Sequence, residues 1–590
     1  MKRFVVVLAV LLATSALFAQ TNRASAKKKA AKKAANTEVT RELQSMKEAL
    51  AAQKDSITTQ QKQIEQLQQQ LGQRDQALQQ MQQQLSDVKS SAQQAQTTAS
   101  EANTTTKGLQ LSVDDLKTSD KTITQQIQED KKRVDQIESP LAIHYKGVTI
   151  MPGGFLAAET VWRQHGMASD INTPFNSVNF SGAGAYHQSE FFGTGRQSRL
   201  SVLAEGKVGW GKIGGYYETD WLSAGVTSNN NQSNSYINRQ RQLFALVSTN
   251  SGWTVTGGQM WSLVTETKKG VENRTEATPL TIDPQYTVGF SWARQYGVRF
   301  SKNFNNKVWL AGAVENAQTT FAAHNANANF DFGQAGTSGG LYNSTANYSY
   351  NRSPDYIAKA VFEPGFGHYE VFGVASLFRD RIYPNYASTT LPKGSGAYDS
   401  STLGGGLGVN ALVSFLNNRL DIGGHALGGN GVGRYGTAGL PDVTVTPNGE
   451  LAKLRNGQAL GTIEWHAPKI DIYGNGGVEY AGRRYSGNTG YGVPTLANYG
   501  CTIEAAPSSN SGYAPGSPAN CNADTRNVIE GTIGFWYKLY NGPMGKVAFG
   551  PQYSYIVRNT WRGAGATAGT SSQPNAIENM VLTSFRYYLP

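Results

Sequence analysis

The chain has 590 residues, among them 65 glycines, 28 tyrosines, 22 phenylalanines, 10 tryptophans and two cysteines, and its formal net charge is +11. A mean hydropathy of −0.43, with no apolar run near 20 residues, excludes a bundle of membrane-spanning helices. Membrane strands tolerate such a value because they show lipid only every second residue. The charge is small for this length and no nucleic-acid-binding motif occurs, so we expect no nucleic-acid partner.

The first residues have the layout of an export signal. Lys2 and Arg3 precede an apolar run from Phe4 to Leu12, and small residues follow as far as Ala19. This pattern predicts a signal peptide over residues 1–19 and hence an exported chain, with a retained anchor as the alternative.

Residues 20–38 are rich in lysine and alanine. A solvated, disordered tail is the simplest interpretation of such a charge run. The alternative is electrostatic contact with an anionic cell-wall polymer. It would be made by five lysines: Lys27, Lys28, Lys29, Lys32 and Lys33.

Residues 39–139 carry a heptad repeat. Every seventh position from Leu43 to Val134 is mostly aliphatic, a second such set lies three residues later, and the register has no stutter. A sustained 3.5-residue repeat predicts a long, left-handed α-helical coiled coil with partner helices, here a periplasmic stalk. A partly disordered spacer is the alternative because residues 92–106 bury little. The heptads alone do not decide between dimer and trimer.

After Pro140 the pattern changes to an alternation with period two. Between Arg199 and Val208 one face carries polar groups, apart from Leu203, and the other carries hydrocarbon, as expected of a transmembrane strand. Sixteen such runs occur: 147–163, 196–208, 212–222, 238–249, 253–262, 289–301, 307–317, 355–363, 368–381, 404–415, 419–430, 457–466, 470–483, 527–539, 546–557 and 577–589.

Short turns and long polar loops alternate between these runs, so both ends of the sheet fall on the side of the short turns. The fold class predicted for residues 141–590 is therefore an all-β transmembrane barrel of 16 antiparallel strands, preceded by the coiled coil. A soluble β-sandwich is the competing interpretation, but it needs neither the loop asymmetry nor aromatic strand ends such as Phe585 and Tyr587.

No motif for catalysis or cofactor binding occurs. The seven histidines are scattered, without the spacing of a metal-binding motif, and neither a nucleophile elbow nor a phosphate-binding loop is found. We therefore expect no enzyme, no cofactor and no metal. Cys501 and Cys521 lie in one polar segment of an exported chain, which favours a loop-closing disulfide.

A barrel of about 16 strands encloses water, and its selectivity depends on its narrowest ring. The third long loop, residues 263–288, is the candidate to fold inward. Residues 141–590 hold 33 lysines and arginines against 27 aspartates and glutamates, so we expect a modest preference for anions. The candidate constriction consists of Lys268, Lys269, Glu272 and Arg274 from the loop and Arg199, Arg241 and Arg299 from the facing wall.

Three short motifs resemble those of DcaP-type porins: Gly147–Phe155, Arg196–Val208 and Gly257–Leu263. The resemblance implies a trimeric porin of 16 strands in the bacterial outer membrane, with an N-terminal periplasmic coiled coil. It also implies the passage of small, preferably anionic solutes such as dicarboxylates. The alternative function is a structural anchor that tethers the envelope to the cell wall through the coiled coil.

Overall fold

The computed structural model describes Asp120 and residues 142–222, 236–335, 348–507 and 516–590. The chain divides into two units, Met1–Glu138 and Ser139–Pro590. The signal peptide, the lysine-rich tail and the coiled coil expected in the first unit lie outside the described residues, apart from Asp120, which is helical. Within the described ranges, no helix has the length and the hydropathy that crossing a bilayer would require.

Sixteen antiparallel strands form a closed barrel, as predicted. They are β1 Val148–Arg163, β2 Arg199–Val208, β3 Gly211–Asp220, β4 Arg239–Thr249, β5 Trp253–Trp261, β6 Arg294–Phe304, β7 Val308–Glu315, β8 Asp355–Phe362, β9 His368–Ile382, β10 Tyr398–Phe415, β11 Leu420–Asn430, β12 Arg455–His466, β13 Ile470–Ala481, β14 Thr525–Gly542, β15 Gly545–Thr560 and β16 Asn575–Tyr588. Each strand pairs with its neighbours in sequence, and β1 also pairs with β16. Closure removes the exposed edges that an open sheet would have.

The seam between β1 and β16 runs from Phe155 opposite Tyr588 to Arg163 opposite Met580. Inside the barrel the Arg586 guanidinium donates to Glu159 Oε1 at 2.7 Å. On the outer face the hydroxyls of Thr160 and Thr583 lie 2.6 Å apart. The seam is therefore joined by side chains as well as by backbone hydrogen bonds.

Shorter elements extend the ends of the barrel. Ile143–Tyr145 forms a hairpin with the start of β1, Glu190–Thr194 pairs with its far half, and Phe330–Asp331 pairs with the end of β9. Small hairpins within the long loops join Val443–Val445 to Leu451–Lys453, Arg484–Ser486 to Thr489–Tyr491 and Gly563–Ala564 to Ser571–Ser572. The described short helices are single 3₁₀ turns at Phe175–Ser177, Gly184–His187, Gly433–Tyr435 and Tyr499–Thr502.

Side chains alternate between an apolar exterior and a polar interior. In β2, Leu200 and Val202 are exposed outward, whereas Arg199 and Leu203 point inward. The tight turns at the end of the barrel opposite the long loops contain asparagine in the left-handed conformation. Asn305 and Asn306 are examples, with φ of 54° and 55°. Asparagine tolerates this conformation, and the resulting turn matches the twist of the strands it joins.

The apolar core lies inside the barrel, between its wall and the loops that enter it. The largest cluster joins the wall residues Val161 and Ile556 to the loop residues Ile171, Phe175 and Ile282. Because these loop residues pack on the inner wall, they occupy space that an open cylinder would leave to water.

Candidate functional site

The third long loop folds into the barrel. We call residues 262–293, between β5 and β6, the inner loop. Val264, Ile282 and Val288 in this loop are fully buried. The loop therefore lies inside the barrel, where it narrows the interior.

The wall holds the inner loop through inward-facing acceptors on six different strands. Each acceptor receives a backbone N–H of the loop. They are Glu315 from Leu263 at 2.7 Å, Glu370 from Thr267 at 2.9 Å, Glu464 from Leu280 at 2.9 Å, Glu479 from Gly289 at 2.9 Å, Glu530 from Val288 at 2.8 Å and Gln552 from Ile282 at 2.6 Å. Five of the six acceptors are carboxyl groups, and a hydrogen bond to a charged group contributes about 1.5–3 kcal/mol, so the set fixes the course of the loop.

Cations on the wall bind carbonyl groups of the inner loop and its flank. Lys359 Nζ lies 2.8 Å from Thr265 O and 2.7 Å from Glu370 Oε2. Arg299 donates to Trp261 O at 2.7 Å and Val271 O at 3.3 Å. Only 4 % of Arg299 is exposed. Arg299 therefore binds the loop from the barrel wall. Its side chain is buried, whereas we expected it to line the aqueous channel.

The tip of the inner loop is a small hairpin, residues 268–275. Lys268 N donates to Thr275 O at 2.6 Å, and Ala277 N donates to Glu266 O at 2.8 Å. Gly270 has φ +52°, and a Cβ at this position would lie 2.7 Å from the buried Trp309 ring. The turn therefore requires glycine, which adopts this conformation without strain.

Four predicted constriction residues are exposed at this tip: Lys268, Lys269, Glu272 and Arg274. The Arg274 guanidinium lies 4.9 Å from the ring of Tyr216 in β3. Next to it, Thr256 in β5 donates to Asn273 Oδ1 at 3.1 Å. The tip thus reaches the wall formed by β3 and β5, with its charged groups open to water.

The facing wall carries a cluster of three arginines that is paired with only two carboxylates. Arg241 binds Glu218 at 2.6 Å and Asp220 at 3.0 Å, Arg239 binds Asp220 at 2.6 Å, and Arg199 lies 3.7 Å from Glu218. The side chain of Arg241 is 1 % exposed and that of Arg199 21 %. The side chain of Arg199 is therefore in contact with water. That of Arg241, which we expected at the constriction, is buried in the wall.

The pKa of Tyr286, a residue of the inner loop, responds to the electrostatic potential near this arginine cluster. Burial raises its pKa, but the positive charges of Arg241, Arg199 and Arg294 outweigh burial and hold the pKa below its ordinary value. Nearby cations favour the phenolate by Coulomb attraction. In their effect on Tyr286, the arginines therefore outweigh Glu218.

Glu218 and Asp220 were not among the predicted site residues, although both belong to the polar face of β3. The strand register puts Asp220 between Arg199 and Arg239, and Glu218 opposite Ser201. This cross-strand pairing is the signal that would have identified them.

Cys501 and Cys521 form a disulfide in the loop between β13 and β14. Cys501 is fully buried, and its carbonyl accepts the N–H of Gly182 at 2.8 Å. This loop therefore packs against the loop between β1 and β2.

Neither the family models nor the curated proteins contain a match to this chain. Among solved structures it is similar to the outer membrane channel DcaP of Acinetobacter baumannii, with 15% identity, 76% of this chain and 99% of that chain covered, and a TM-score of 0.48. It is also similar to OmpF of Salmonella typhi in complex with daunomycin (9%, 76% and 100%, 0.39) and to OprB of Pseudomonas putida (10%, 74% and 94%, 0.38).

Proposed function

We propose that the barrel is a bacterial outer-membrane channel through which small hydrophilic solutes diffuse passively, with a modest preference for anions such as dicarboxylates. The observation that carries the proposal is the inner loop, which narrows a closed barrel of 16 strands and presents an exposed basic tip to an arginine-rich wall. A barrel of this size encloses an aqueous passage, and charges at its narrowest part select the solute.

The charge balance supports the preference for anions. The tip has three cations, Lys268, Lys269 and Arg274, against one carboxylate, Glu272. The facing wall adds three arginines, Arg199, Arg239 and Arg241, against two carboxylates, Glu218 and Asp220. Where water is restricted its screening is weaker, so this excess lowers the barrier for anions more than it would in bulk solvent.

A bilayer experiment tests this preference. Replacement of Lys268, Lys269 and Arg274 by glutamine should shift the zero-current potential in a KCl gradient toward cation selectivity. The matched control replaces Lys307, Lys393 and Lys469, three exposed lysines outside the inner loop, and should leave that potential unchanged. Equal potentials for wild type and the tip variant would refute the role of the tip. The absence of conductance steps in wild type would favour a structural tether instead.

The proposal extends to assembly. The apolar outer wall suits lipid and neighbouring barrels, and the heptads of residues 39–139 suit a periplasmic coiled coil that joins three chains. The lysines of residues 20–38 would face the anionic cell wall. Deletion of residues 21–138 should leave the pore active while lowering the temperature at which trimers dissociate in detergent. Trimers of unchanged thermal stability would contradict the role of the coiled coil.

A further inference from the structure

Three potential metal ligands meet on the inner wall near the short-turn end of the barrel. Asp421 in β11 and Glu464 in β12 are direct cross-strand partners, and His466 follows Glu464 on the same face of β12. His466 Nε2 lies 3.4 Å from Asp421 Oδ2 and 3.5 Å from Glu464 Oε2. The three ligand atoms all lie within 4.8 Å of one another.

These separations suit one cation held by three protein ligands. Bonds from zinc to imidazole nitrogen or carboxylate oxygen are about 2.0–2.2 Å long, which puts neighbouring ligands of a tetrahedral ion about 3.4 Å apart. The side chain of His466 is 31 % exposed, so water can complete the coordination. One nitrogen and two carboxylates favour zinc and related transition metals over calcium or magnesium, which prefer oxygen alone.

A further carboxylate orients the histidine. Asp471, the partner of His466 on β13, lies 3.2 Å from its Nδ1 and is itself held by Lys538 Nζ at 2.8 Å. When Nδ1–H donates to Asp471, Nε2 carries its lone pair toward Asp421 and Glu464. A carboxylate behind a metal-binding histidine fixes the tautomer in this way.

An independent observation is the set of unpartnered carboxylate oxygens beside the cluster. Asp421 and Glu464 line a cavity of about 20 Å³ together with Glu266 and Lys268 of the inner loop. Glu266 is 9 % exposed, and its Oε1 has no hydrogen-bond partner, nor has Oδ1 of Asp421. In the part of the chain that the structure describes, His466 is the one basic group paired with Asp421 or Glu464, and Glu266 has no ion pair.

We propose that Asp421, Glu464 and His466 form a binding site for one divalent transition-metal ion, with Asp471 as the positioning residue. We expected no metal because the histidines lack ligand spacings along the chain. Here the ligands come from a cross-strand pair and from two residues that share a strand face. Glu464 also accepts the N–H of Leu280 at 2.9 Å through its other oxygen. The ion would therefore fix an anchor of the inner loop.

Metal binding to the full-length protein tests the site without reference to transport. The detergent-solubilised protein, freed of any affinity tag and stripped with EDTA, is titrated with Zn²⁺ alone in a calorimeter and with Co²⁺ in a spectrophotometer. We expect one ion per chain and a Co²⁺ ligand-field spectrum in the visible range. Asp421→Asn and His466→Gln should each weaken binding at least about 100-fold, and Asp471→Asn about 10- to 100-fold.

The matched control is Asp524→Asn. Asp524 lies 3.0 Å from His324 Nε2 in a histidine–carboxylate pair outside the site, so its replacement should leave affinity and stoichiometry unchanged. The competing arrangement is a protonated His466 that only neutralises two carboxylates, and it predicts no saturable binding in wild type. That result would overturn the proposal. So would equal affinity for wild type and both ligand variants, with each variant's fold verified by its heat-modifiable migration on gels.

Discussion

Asp283 of the inner loop predicts a pH-dependent stability that one substitution should remove. Its Oδ1 accepts the N–H groups of Gln285 at 2.8 Å and Thr173 at 3.3 Å, whereas Oδ2 has no partner. The residue is 1 % exposed. Burial raises the pKa of Asp283 from 3.8 to about 7, and the charge of Glu530 adds to this effect.

The sign of the effect follows from the raised pKa. The folded protein binds the Asp283 proton more tightly than the unfolded chain, so this group lowers stability as the pH rises from about 4 to 7. The full shift corresponds to about 4 kcal/mol, of which about 2.5 kcal/mol falls between pH 5 and pH 8. Asparagine cannot ionise, so the Asp283→Asn variant lacks this contribution.

The measurement compares wild type with Asp283→Asn. Guanidinium unfolding in detergent, followed by tryptophan fluorescence, gives the free energy of unfolding at each pH. Between pH 5 and pH 8, wild type should lose about 2.5 kcal/mol relative to the variant. Other titrating groups cancel in the difference. A difference of the same size at both pH values would refute the argument from burial.

Two further predictions concern the loops. Gly270→Ala puts a methyl group against Trp309 and a side chain at positive φ, so the tip should shift at a cost of about 1–3 kcal/mol and single-channel current noise should rise. Gly257→Ala, where nothing lies within 4 Å, is the control, and equal noise in both variants would contradict the requirement for glycine. Reduction of Cys501 and Cys521, which close a loop with a sequence separation of 20, should lower stability by about 3 kcal/mol. Coincident unfolding curves with and without reductant would exclude this contribution.

The barrel could be predicted because its strands and turns are marked by patterns of neighbouring residues in the sequence. Lipid outside and polar groups inside impose an alternation with period two, and asparagine turns mark the ends of strands. The predicted strand boundaries are wrong where this alternation does not decide the structure. β6 begins at Arg294 instead of residue 289 because Gly289 donates its N–H to Glu479 rather than to a neighbouring strand. β10 begins at Tyr398 instead of residue 404, since the polar residues 399–402 pair with β9 without an apolar outer face.

The candidate site could be predicted only in part. The entry of the third loop follows from its length and position, but the sequence does not separate inward residues that face water from those that hold the loop. Arg199 and Arg299 both occupy inward positions of their strands, yet Arg199 is partly exposed and Arg299 binds backbone carbonyls. The difference arises from the course of the loop, which depends on partners distributed around the whole barrel.

The seam between β1 and β16 has a consequence for biogenesis. Thr160 and Thr583 are 423 positions apart in the chain, yet they touch across this seam. Until β16 has been synthesised, β1 lacks one of its two neighbours, and its free backbone groups cannot enter lipid without a large penalty. For the membrane channel that we propose, we therefore expect insertion to follow synthesis of β16, and a chain truncated before β16 to fail to insert.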